Sequence, residues 1–483
     1  MSDISKLKPE KVFTFFEFLS SVPHGSGNTK AVSDLCVKFA KERGLDVVQD
    51  KLNNIVIRKP ATAGYEQSPT VILQGHLDMV CAKHPEDAID MEKEPIKLRT
   101  DGKFLWAERT SLGGDDMIAV ASALAVLDDD ALPHPALECL FTVDEETGMF
   151  GAEGIDPALI TGRRMLNMDS EDEGVFTVGC AGGTHVRAAL PVRRESLPAD
   201  SAVYKLTVDG LRGGHSGVEI DCGRGNSNLL SARILLALAD ACGVRVAELN
   251  GGTFDNVIPS KTEAIFAVEK EKAALAEKTM RKAAEEIRAE LAASDPDVRV
   301  TLEPAACEKA YIIPEDSRKL LSLLFVLPNG VMAMSQSLPG LVQTSLSQGV
   351  LRLEENALRF GTFIRSSVNS ERETLAARVT ELLNLYGAKV AREGDYPAWE
   401  YRAESPLRDV AVQTYRELTG KEAKIFATHG GLECGLFSEK FPGLDCIAFG
   451  PNMHDIHSVN EKLDVASVGR FYELVCAILK NLK

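Results

Sequence analysis

The sequence contains no long apolar run, and this absence excludes a membrane-spanning protein. No stretch approaches the roughly 18 consecutive apolar residues that a transmembrane helix needs. The N-terminal residues MSDISKLKPE also lack the apolar core of a signal peptide. We therefore expect a cytoplasmic protein without a membrane partner.

Positive charge is scarce as well. The 483 residues include 54 Lys and Arg but 71 Asp and Glu, which gives a formal net charge of −17. A surface that binds nucleic acid or an anionic membrane needs an excess of basic residues. We therefore expect no nucleic-acid partner.

Several common catalytic signatures are missing too. The ten cysteines contain no CxxC pair and no disulfide framework, so we expect reduced thiols. The chain has no HExxH motif, no GxSxG elbow and no P-loop. This excludes the hydrolases and nucleotide-binding enzymes that depend on those motifs.

The sequence does contain a periodic pattern that divides it into two kinds of region. In the first part, helical segments alternate with apolar strands such as PTVILQG and ALECLFTV, which is typical of a mostly parallel sheet covered on both faces. From about Thr184 the segments alternate polar and apolar residues, as half-exposed antiparallel strands do. The α/β pattern resumes after Pro397. The sequence thus predicts an α/β domain, residues 1–185 and 398–483, interrupted by an inserted α+β domain at residues 186–397.

Acidic and histidine residues follow the candidate strands of the α/β domain. Because open α/β sheets bind ligands beyond the carboxyl ends of their strands, these side chains are expected to converge. Taken singly, each is as readily a turn or helix-cap residue. Together they would be a costly concentration of negative charge, which a divalent metal would offset. The residues are His76, Asp78, Asp115, Asp116, Asp144, Glu145, Glu146, Asp169, His454, Asp455 and His457.

Histidine and carboxylate ligands without thiolate favour Zn²⁺, with Mn²⁺ and Co²⁺ as alternatives. Two ions fit the charge better than one, because Asp115, Glu146 and Asp169 carry three negative charges and a hydroxide would add a fourth. Paired ions about 3.5–4 Å apart are a common hydrolytic device.

The remaining acids then acquire different roles. Asp78 lies two residues after His76 in an extended segment, so it can hold the second ring nitrogen of that histidine. Glu145 and Glu146 must point in different directions, so one can bind metal while the other acts as general base on the attacking water. The residues alone leave open which glutamate takes which role.

Longer motifs add a second line of argument. They include VPHGSGN, LQGHLDMV, TSLGGDDMIAVASALAVL, TVDEETGMFGA, NMDSEDEG, LRGGHSG, GGTFDNVIP, FIRSSVNS, GGLECGLF and GPNMHDIHS. Over nearly its whole length the chain resembles the dizinc exopeptidases of the carboxypeptidase and aminoacylase type. Among these it is most similar to the bacterial dipeptidases related to carnosinase.

The resemblance implies a role for each site residue. Asp115 would bridge two ions, the first also held by His76 and Asp169, and the second by Glu146 and His457. Glu145 would be the general base, and Asp78 would support His76. The inserted domain would be a lid that binds the substrate through His215, Asn256, Arg365 and Gly431.

Elementary chemistry makes these lid assignments reasonable. His215 could donate to the oxyanion of the tetrahedral intermediate, and Arg365 could bind a C-terminal carboxylate. Gly431 could admit substrate close to the backbone. Without the resemblance, a surface histidine in a Gly-rich turn is the simpler interpretation of His215. In some relatives a lid histidine reaches the neighbouring subunit's site, so a homodimer through the lid is also an expectation.

The chain departs from the family pattern beside the bridging aspartate. Asp116 and Met117 stand where the family has Asn and Gly, so we expect altered metal affinity and a strained turn at Met117. Ser458 to Glu461 also differ from the family's Ser-Pro-Asp-Glu. None of these changes removes an implied ligand.

The leading hypothesis is therefore a dizinc dipeptidase that acts on Xaa-His or a broad range of small peptides. The alternatives are a tripeptidase or an N-acyl amino acid deacylase with the same metal chemistry, and a non-catalytic metal-binding homologue.

Overall fold

A computed structural model describes residues 4–483, which fold into two compact units. The first unit comprises the chain up to Gly179 together with Tyr401–Ala427 and Leu432–Lys483. The second comprises Cys180–Glu400 and Thr428–Gly431. Among residues 4–483, none of the helices has the length and apolar content needed to cross a lipid bilayer.

Helices occur in both units. They are α1 (Glu10–Leu19), α2 (Lys30–Glu42), α3 (Gly114–Leu127), α4 (Phe150–Gly154), α5 (Ser227–Cys242), α6 (Ala273–Glu290), α7 (Pro314–Val326), α8 (Asn369–Leu385), α9 (Pro406–Thr419), α10 (Glu433–Lys440) and α11 (Val465–Asn481).

Strands also occur in both units. They are β1 (Asp46–Gln49), β2 (Ile55–Lys59), β3 (Val71–His76), β4 (Leu98–Thr100), β5 (Phe104–Ala107), β6 (Leu137–Thr142), β7 (Arg164–Asn167), β8 (Val175–Cys180), β9 (Gly182–Pro191), β10 (Arg194–Glu195), β11 (Ser201–Asp209), β12 (Arg245–Gly251), β13 (Thr262–Glu269), β14 (Arg299–Pro304), β15 (Tyr311–Ile312), β16 (Gly330–Met334), β17 (Val342–Leu353), β18 (Ala357–Ser366), β19 (Lys389–Tyr396), β20 (Lys424–Thr428), β21 (Asp445–Ala448), β22 (Met453–His454) and β23 (Lys462–Asp464).

The first unit is built around an eight-stranded sheet in the order β1-β2-β6-β3-β7-β21-β8-β20. Its centre is parallel, because β3 runs parallel to β6 and β7, and β7 runs parallel to β21. Strand β1 pairs antiparallel with β2, β2 with β6, and β8 with β21. Every residue of β3 and β6 is buried, as expected for strands covered on both faces. The predicted α/β sheet with a parallel core is confirmed.

Helix α3 packs on strand β3 and is buried along its whole length. Small side chains allow this close approach: a Cβ on Gly75 would lie 2.8 Å from the Cβ of Ala119. The first turn of α3 carries Asp115 and Asp116, whose torsion angles are not helical and whose shared peptide bond is cis. Both carboxylates lie beside His76 at the end of β3, since Asp115 Oδ1 is 3.1 Å from His76 Nε2 and Asp116 accepts the His76 backbone N–H.

The second unit contains a nine-stranded sheet. Eight of its strands follow the order β14-β11-β13-β12-β17-β18-β9-β19, and β16 pairs with β17 beside this path. The paired strands run antiparallel. Strand β9 alternates as predicted, with Val186, Ala188 and Leu190 buried and Arg187 exposed. Its buried side chains join a core with apolar residues of helices α5 to α8, among them Leu235.

Candidate metal centre and a buried cationic cluster

Most of the candidate ligands of the first unit meet at one edge of its sheet. His76 ends β3 opposite Thr142 at the end of β6, and Gln74 pairs with Asn167 at the end of β7. The residues that follow these strands therefore emerge at the same edge. We call the resulting group the acidic cluster; it consists of His76, Asp78, Asp115, Asp116, Glu145, Glu146, Asp169 and His457.

Asp115 lies between two histidines. Its Oδ1 is 3.1 Å from His76 Nε2, and its Oδ2 is 3.1 Å from His457 Nε2. His457 Nε2 is also 2.9 Å from Glu146 Oε1. One carboxylate that presents each oxygen to a different imidazole has the arrangement of a bridging ligand.

The donor atoms of the cluster fit a divalent metal. Ligand atoms of His76, Asp115 and Glu146 lie within 4.8 Å of one another, as do those of His76, Asp116 and Asp169. Asp116 Oδ1 is buried without a hydrogen-bond partner, and Glu146 Oε1 is buried against His457 Nε2. Buried carboxylate oxygens beside imidazole nitrogens are what a Zn²⁺-type site requires before the ion binds.

The pKa values of the cluster also fit a metal site. Burial raises the pKa of Glu145 to about 7, and the negative charges of Asp115 and Glu146 add to this effect. Burial likewise raises the pKa of Asp169 well above its usual value. Hydrogen bonds to Asp115 and Glu146 raise the pKa of His457 to about 10. Without a metal, the cluster therefore retains protons to balance its carboxylates.

Asp78 contacts both His76 and the two glutamates of the acidic cluster. Its Oδ1 is 3.5 Å from His76 Nδ1, and its backbone oxygen is 3.1 Å from the same nitrogen. The fully buried carboxylate also accepts hydrogen bonds from the Ser26 hydroxyl (2.8 Å) and from the backbone N–H groups of Glu145 (3.1 Å) and Glu146 (3.3 Å). One side chain thus orients both the histidine and the two glutamates.

Glu461 was not predicted to act at this site, although its motif was noted. Its buried carboxylate accepts hydrogen bonds from the backbone N–H groups of Leu112 (2.8 Å), Gly113 (3.1 Å) and Gly114 (2.8 Å). These residues lead into the first turn of α3. Glu461 therefore ties the loop of His457 to the turn that carries Asp115.

Glu433 is a second residue that sequence reasoning missed. Its carboxyl group is fully buried and accepts hydrogen bonds from Gln74 Nε2 (2.6 Å) and Thr142 Oγ1 (2.8 Å). Burial, with the negative charge of Glu145, raises the pKa of Glu433 to about 8. It joins the ends of β3 and β6, from which His76 and Glu145 extend.

Three strand-end candidates lie outside the cluster. Asp144 accepts a hydrogen bond from the backbone N–H of Gly27 at 2.6 Å. His454 is exposed and packs edge-to-face on Phe104, with ring centroids 5.9 Å apart. Asp455 is exposed and has a left-handed φ of 52°. These three have local structural roles in the loops around the site.

Asp116 and Met117, which depart from the family pattern beside Asp115, differ in their structural consequences. Met117 is buried within α3 and has helical torsion angles, so the expected strain is wrong. Asp116 is fully buried, accepts a hydrogen bond from the backbone N–H of His76 at 3.3 Å, and has a pKa raised well above its usual value by burial. A neutral Asp116 resembles the family's asparagine in size and hydrogen bonding.

The second unit brings together a group of opposite charge, which we call the cationic cluster: His215, Arg365, Tyr396 and His429. Arg365 is 5% exposed. Its Nη1 donates to the Tyr396 hydroxyl at 3.1 Å, while its Nε has no partner. In the part of the chain that the structure describes, no carboxylate forms an ion pair with Arg365.

His215 is half-buried and faces Arg365. Its Nδ1 accepts the backbone N–H groups of Gly217 and Val218, both at 3.2 Å, so the proton of the neutral ring resides on Nε2. Burial and the charge of Arg365 lower the pKa of His215, which keeps the ring neutral. His215 Nε2 and Arg365 Nη2 are 3.5 Å apart. Two donors in this position can share one acceptor from a ligand.

His429 completes the cationic cluster. It is 5% exposed, and its Nε2 is 2.7 Å from the Ser345 hydroxyl. Burial, with the charge of Arg365, lowers the pKa of His429 to about 3. A Cβ on Gly217 would lie 2.9 Å from the His429 carbonyl oxygen and 3.1 Å from Arg365 Nε, so glycine is required where these groups converge.

The other two predicted lid residues lie nearby in the second unit. The backbone oxygen of Asn256 accepts the N–H of Ser216 at 2.8 Å, which places it beside the His215 turn. Gly431 lies against Tyr396, where a Cβ would be 2.8 Å from the ring. The close approach at Gly431 is thus to a side chain of the cationic cluster, and contact with substrate stays a prediction.

Comparison with known proteins agrees with this geometry. A profile described as Peptidase family M20/M25/M40 matches residues 72–481. The cytosol non-specific dipeptidase of Escherichia coli (strain K12) is 38% identical over 482 residues, covering 100% of this chain and 99% of that protein. The predicted resemblance to the exopeptidase family and its dipeptidases is confirmed.

Solved structures show the same relationship. The crystal structure of aminoacylhistidine dipeptidase from Vibrio alginolyticus superposes with a TM-score of 0.94 and 36% sequence identity, covering 99% of this chain and 98% of that chain. Aminopeptidase PepT from Bacillus cereus, with a TM-score of 0.57 and 16% identity over 99% of each chain, shares the fold.

Proposed function

We propose that this chain, which belongs to peptidase family M20/M25/M40, is a metal-dependent hydrolase that cleaves dipeptides. The observation that carries the proposal is Asp115 held between His76 and His457, in a chain that resembles dipeptidases over its full length. The family is metal-dependent, and the acidic cluster contains two groups of nitrogen and oxygen atoms close enough together to hold an ion.

The acidic cluster would hold two Zn²⁺ ions, with Mn²⁺ and Co²⁺ as alternatives. Asp115 would bridge them, and the remaining ligands would be His76, Asp169, Glu146 and His457. When bound, such ions lower the pKa of a water molecule towards about 7 and polarise the scissile carbonyl.

Glu145 is the general base in this proposal. It removes a proton from the attacking water and delivers it to the leaving amine. A pKa raised to about 7 suits both steps, because the carboxylate can accept the proton and the acid can release it near neutral pH. The hydrogen bond from its backbone N–H to Asp78 fixes the position from which it acts.

The cationic cluster binds the C-terminal carboxylate of the substrate. Burying a guanidinium without an anionic partner costs free energy, and a bound C-terminal carboxylate would offset that cost. Arg365 binds this carboxylate, and His215 donates from Nε2 to the oxyanion of the tetrahedral intermediate. Asn256 and Gly431 line the same substrate site.

Two further assignments complete the proposal. A cytoplasmic location is supported by the name of the Escherichia coli relative, a cytosol dipeptidase. The second unit is the lid that carries the substrate contacts, and a homodimer forms through it. No nucleic-acid partner is expected, given the net charge of −17.

A substrate panel with metal control tests the function. The purified protein, loaded with Zn²⁺ or Mn²⁺, is assayed on dipeptides, tripeptides, N-acyl amino acids and dipeptide amides. We expect hydrolysis of dipeptides, including Xaa-His, that ends on chelation and returns with metal. Preferred cleavage of tripeptides or N-acyl amino acids would identify a tripeptidase or deacylase instead. Tight metal binding without any hydrolysis would identify a non-catalytic homologue.

A further inference from the structure

We propose that a cavity beside Glu146 binds the side chain of the dipeptide's N-terminal residue, and that it favours large apolar side chains. This inference rests on the proposed function and adds its substrate preference. The cavity lies within the first unit and has a volume of about 750 Å³. It is lined by residues 25–28, 79–81, 91–93 and 146–147.

The position of the cavity follows from the covalent structure of a dipeptide. The scissile carbonyl belongs to the N-terminal residue, whose Cα is bonded directly to the carbonyl carbon. Its side chain therefore begins next to the metal ligands. Glu146 belongs both to the acidic cluster and to the cavity wall, so the cavity starts where that side chain starts. The C-terminal carboxylate is already assigned to Arg365.

The lining determines which side chains fit. Met79 and Met91, which are 2% and 9% exposed, form the apolar part of the wall with Val80 and Cys81, and Ser26, Asn28 and Thr147 are among its polar residues. The charged residues Glu92 and Lys93 are exposed. Methionine adapts its shape to different neighbours, so such a wall accepts both aliphatic and aromatic groups. A volume within the roughly 300–1,000 Å³ typical of ligand pockets leaves room for the largest side chains.

Hydrogen bonds hold the cavity open without a ligand. Gly25 forms a parallel bridge with Met79, and the Ser26 hydroxyl donates to Asp78. In addition, Asn28 Nδ2 donates to the backbone oxygen of Glu92 at 2.8 Å. This bond fixes the segment that carries Met91. The pocket is therefore preorganised, and it lies within one unit.

Filling the cavity tests the inference. Met91→Trp narrows it, and Met334→Trp makes the same change at a side chain that is 46% exposed on β16 of the second unit. Both variants are assayed with Gly-Gly and Phe-Gly, which share a C-terminal residue. For Met91→Trp we expect kcat/KM to fall at least about tenfold for Phe-Gly and to change less than about twofold for Gly-Gly. Met334→Trp should change neither value.

Met91→Ala provides the complementary measurement, and it decides the matter if the Trp variant does not fold. Widening the cavity should raise the ratio of Trp-Gly to Gly-Gly hydrolysis at least about threefold. An unchanged ratio in Met91→Ala, or equal losses on Gly-Gly and Phe-Gly in a folded Met91→Trp, overturns the inference. Failure of the wild-type enzyme to cleave any dipeptide is a separate result, and it overturns the proposed function.

Discussion

The acidic cluster of the first unit and the cationic cluster of the second have opposite charge imbalances. Carboxylates outnumber the two histidines in the first, and the Oδ1 of Asp116 there is buried without a partner. In the second, Arg365 is buried among neutral histidines without an ion pair to any carboxylate of the described chain. Buried unbalanced charge is costly in either sign. The difference supports the proposal that a ligand of opposite charge completes each cluster, a metal ion in one and a carboxylate in the other.

The largest expected effect distinguishes Glu145 from Glu146 within the acidic cluster. Glu145→Gln should lower kcat about 10³-fold or more while bound metal is unchanged, because only the proton acceptor is lost. Glu146→Gln should lose at least one metal equivalent, measured by elemental analysis. Near-normal turnover in Glu145→Gln would refute its role as base, and loss of the same metal in both variants would remove the distinction between them.

The cationic cluster provides the next test. Arg365→Met should lower kcat/KM for dipeptides about 100-fold, since a charge-assisted bidentate contact is lost, while metal content stays constant. Dipeptide amides make the test specific. The wild-type enzyme should discriminate strongly against the amide, and Arg365→Met should not. Persistent discrimination in the variant would mean that another group reads the carboxylate.

Glu461 tests whether the acidic cluster depends on support from outside its ligands. Glu461→Gln retains the size of the side chain but weakens its three hydrogen bonds to the turn before α3. We expect metal affinity to fall about tenfold, measured by competition with a chelator. Glu173→Gln, in a carboxylate that pairs with exposed Arg470, is the matched control and should leave the affinity unchanged.

His429 tests the cationic cluster through stability. Its folded-state pKa of about 3 lies below the ordinary histidine value of about 6.5, so between these pH values the unfolded chain binds the extra proton. Stability should therefore be lost as pH falls through that window, by up to about 1.4 kcal/mol per pH unit. His429→Gln should show a shallower acid dependence in urea unfolding. Identical slopes for both proteins would contradict the assignment of His429 as buried and neutral.

The smallest expected effect concerns Asp116. Because burial raises its pKa well above the usual value, the neutral acid already resembles an amide. Asp116→Asn should therefore change metal content and kcat/KM by less than about twofold. A loss of metal affinity of tenfold or more would instead make Asp116 a charged ligand, in line with its position near His76 and Asp169.

The acidic cluster was predictable because the parallel strands themselves carry it. Once β3, β6 and β7 are identified, topology brings His76, Glu145 and Asp169 to one edge. Glu433 and Glu461 were not predictable, because they act by hydrogen bonds to Gln74 and to the turn before α3, far away in the chain.

The secondary structure of the second unit could also be predicted only in part from the sequence. The long charged helix α6 has distinct polar and apolar faces, so its helical period is visible in the sequence. Helix α5 is apolar on several sides, so its period is weak and does not identify it. The cationic cluster depended on the family resemblance, since His215 and Arg365 lie on a loop and a strand whose pairing is not visible in either segment alone.

The division of the first unit into segments affects how the protein is made. Strand β7 pairs with β21, and Asp115 faces His457, yet β21 and His457 follow the whole of the second unit in the chain. On the ribosome the N-terminal segment emerges first, and its central sheet lacks β21 while the inserted unit is synthesised. The first unit can close its sheet and position His457 only after the second unit has been synthesised. The proposed metal centre therefore cannot be complete until the inserted unit and the segment after it have been synthesised.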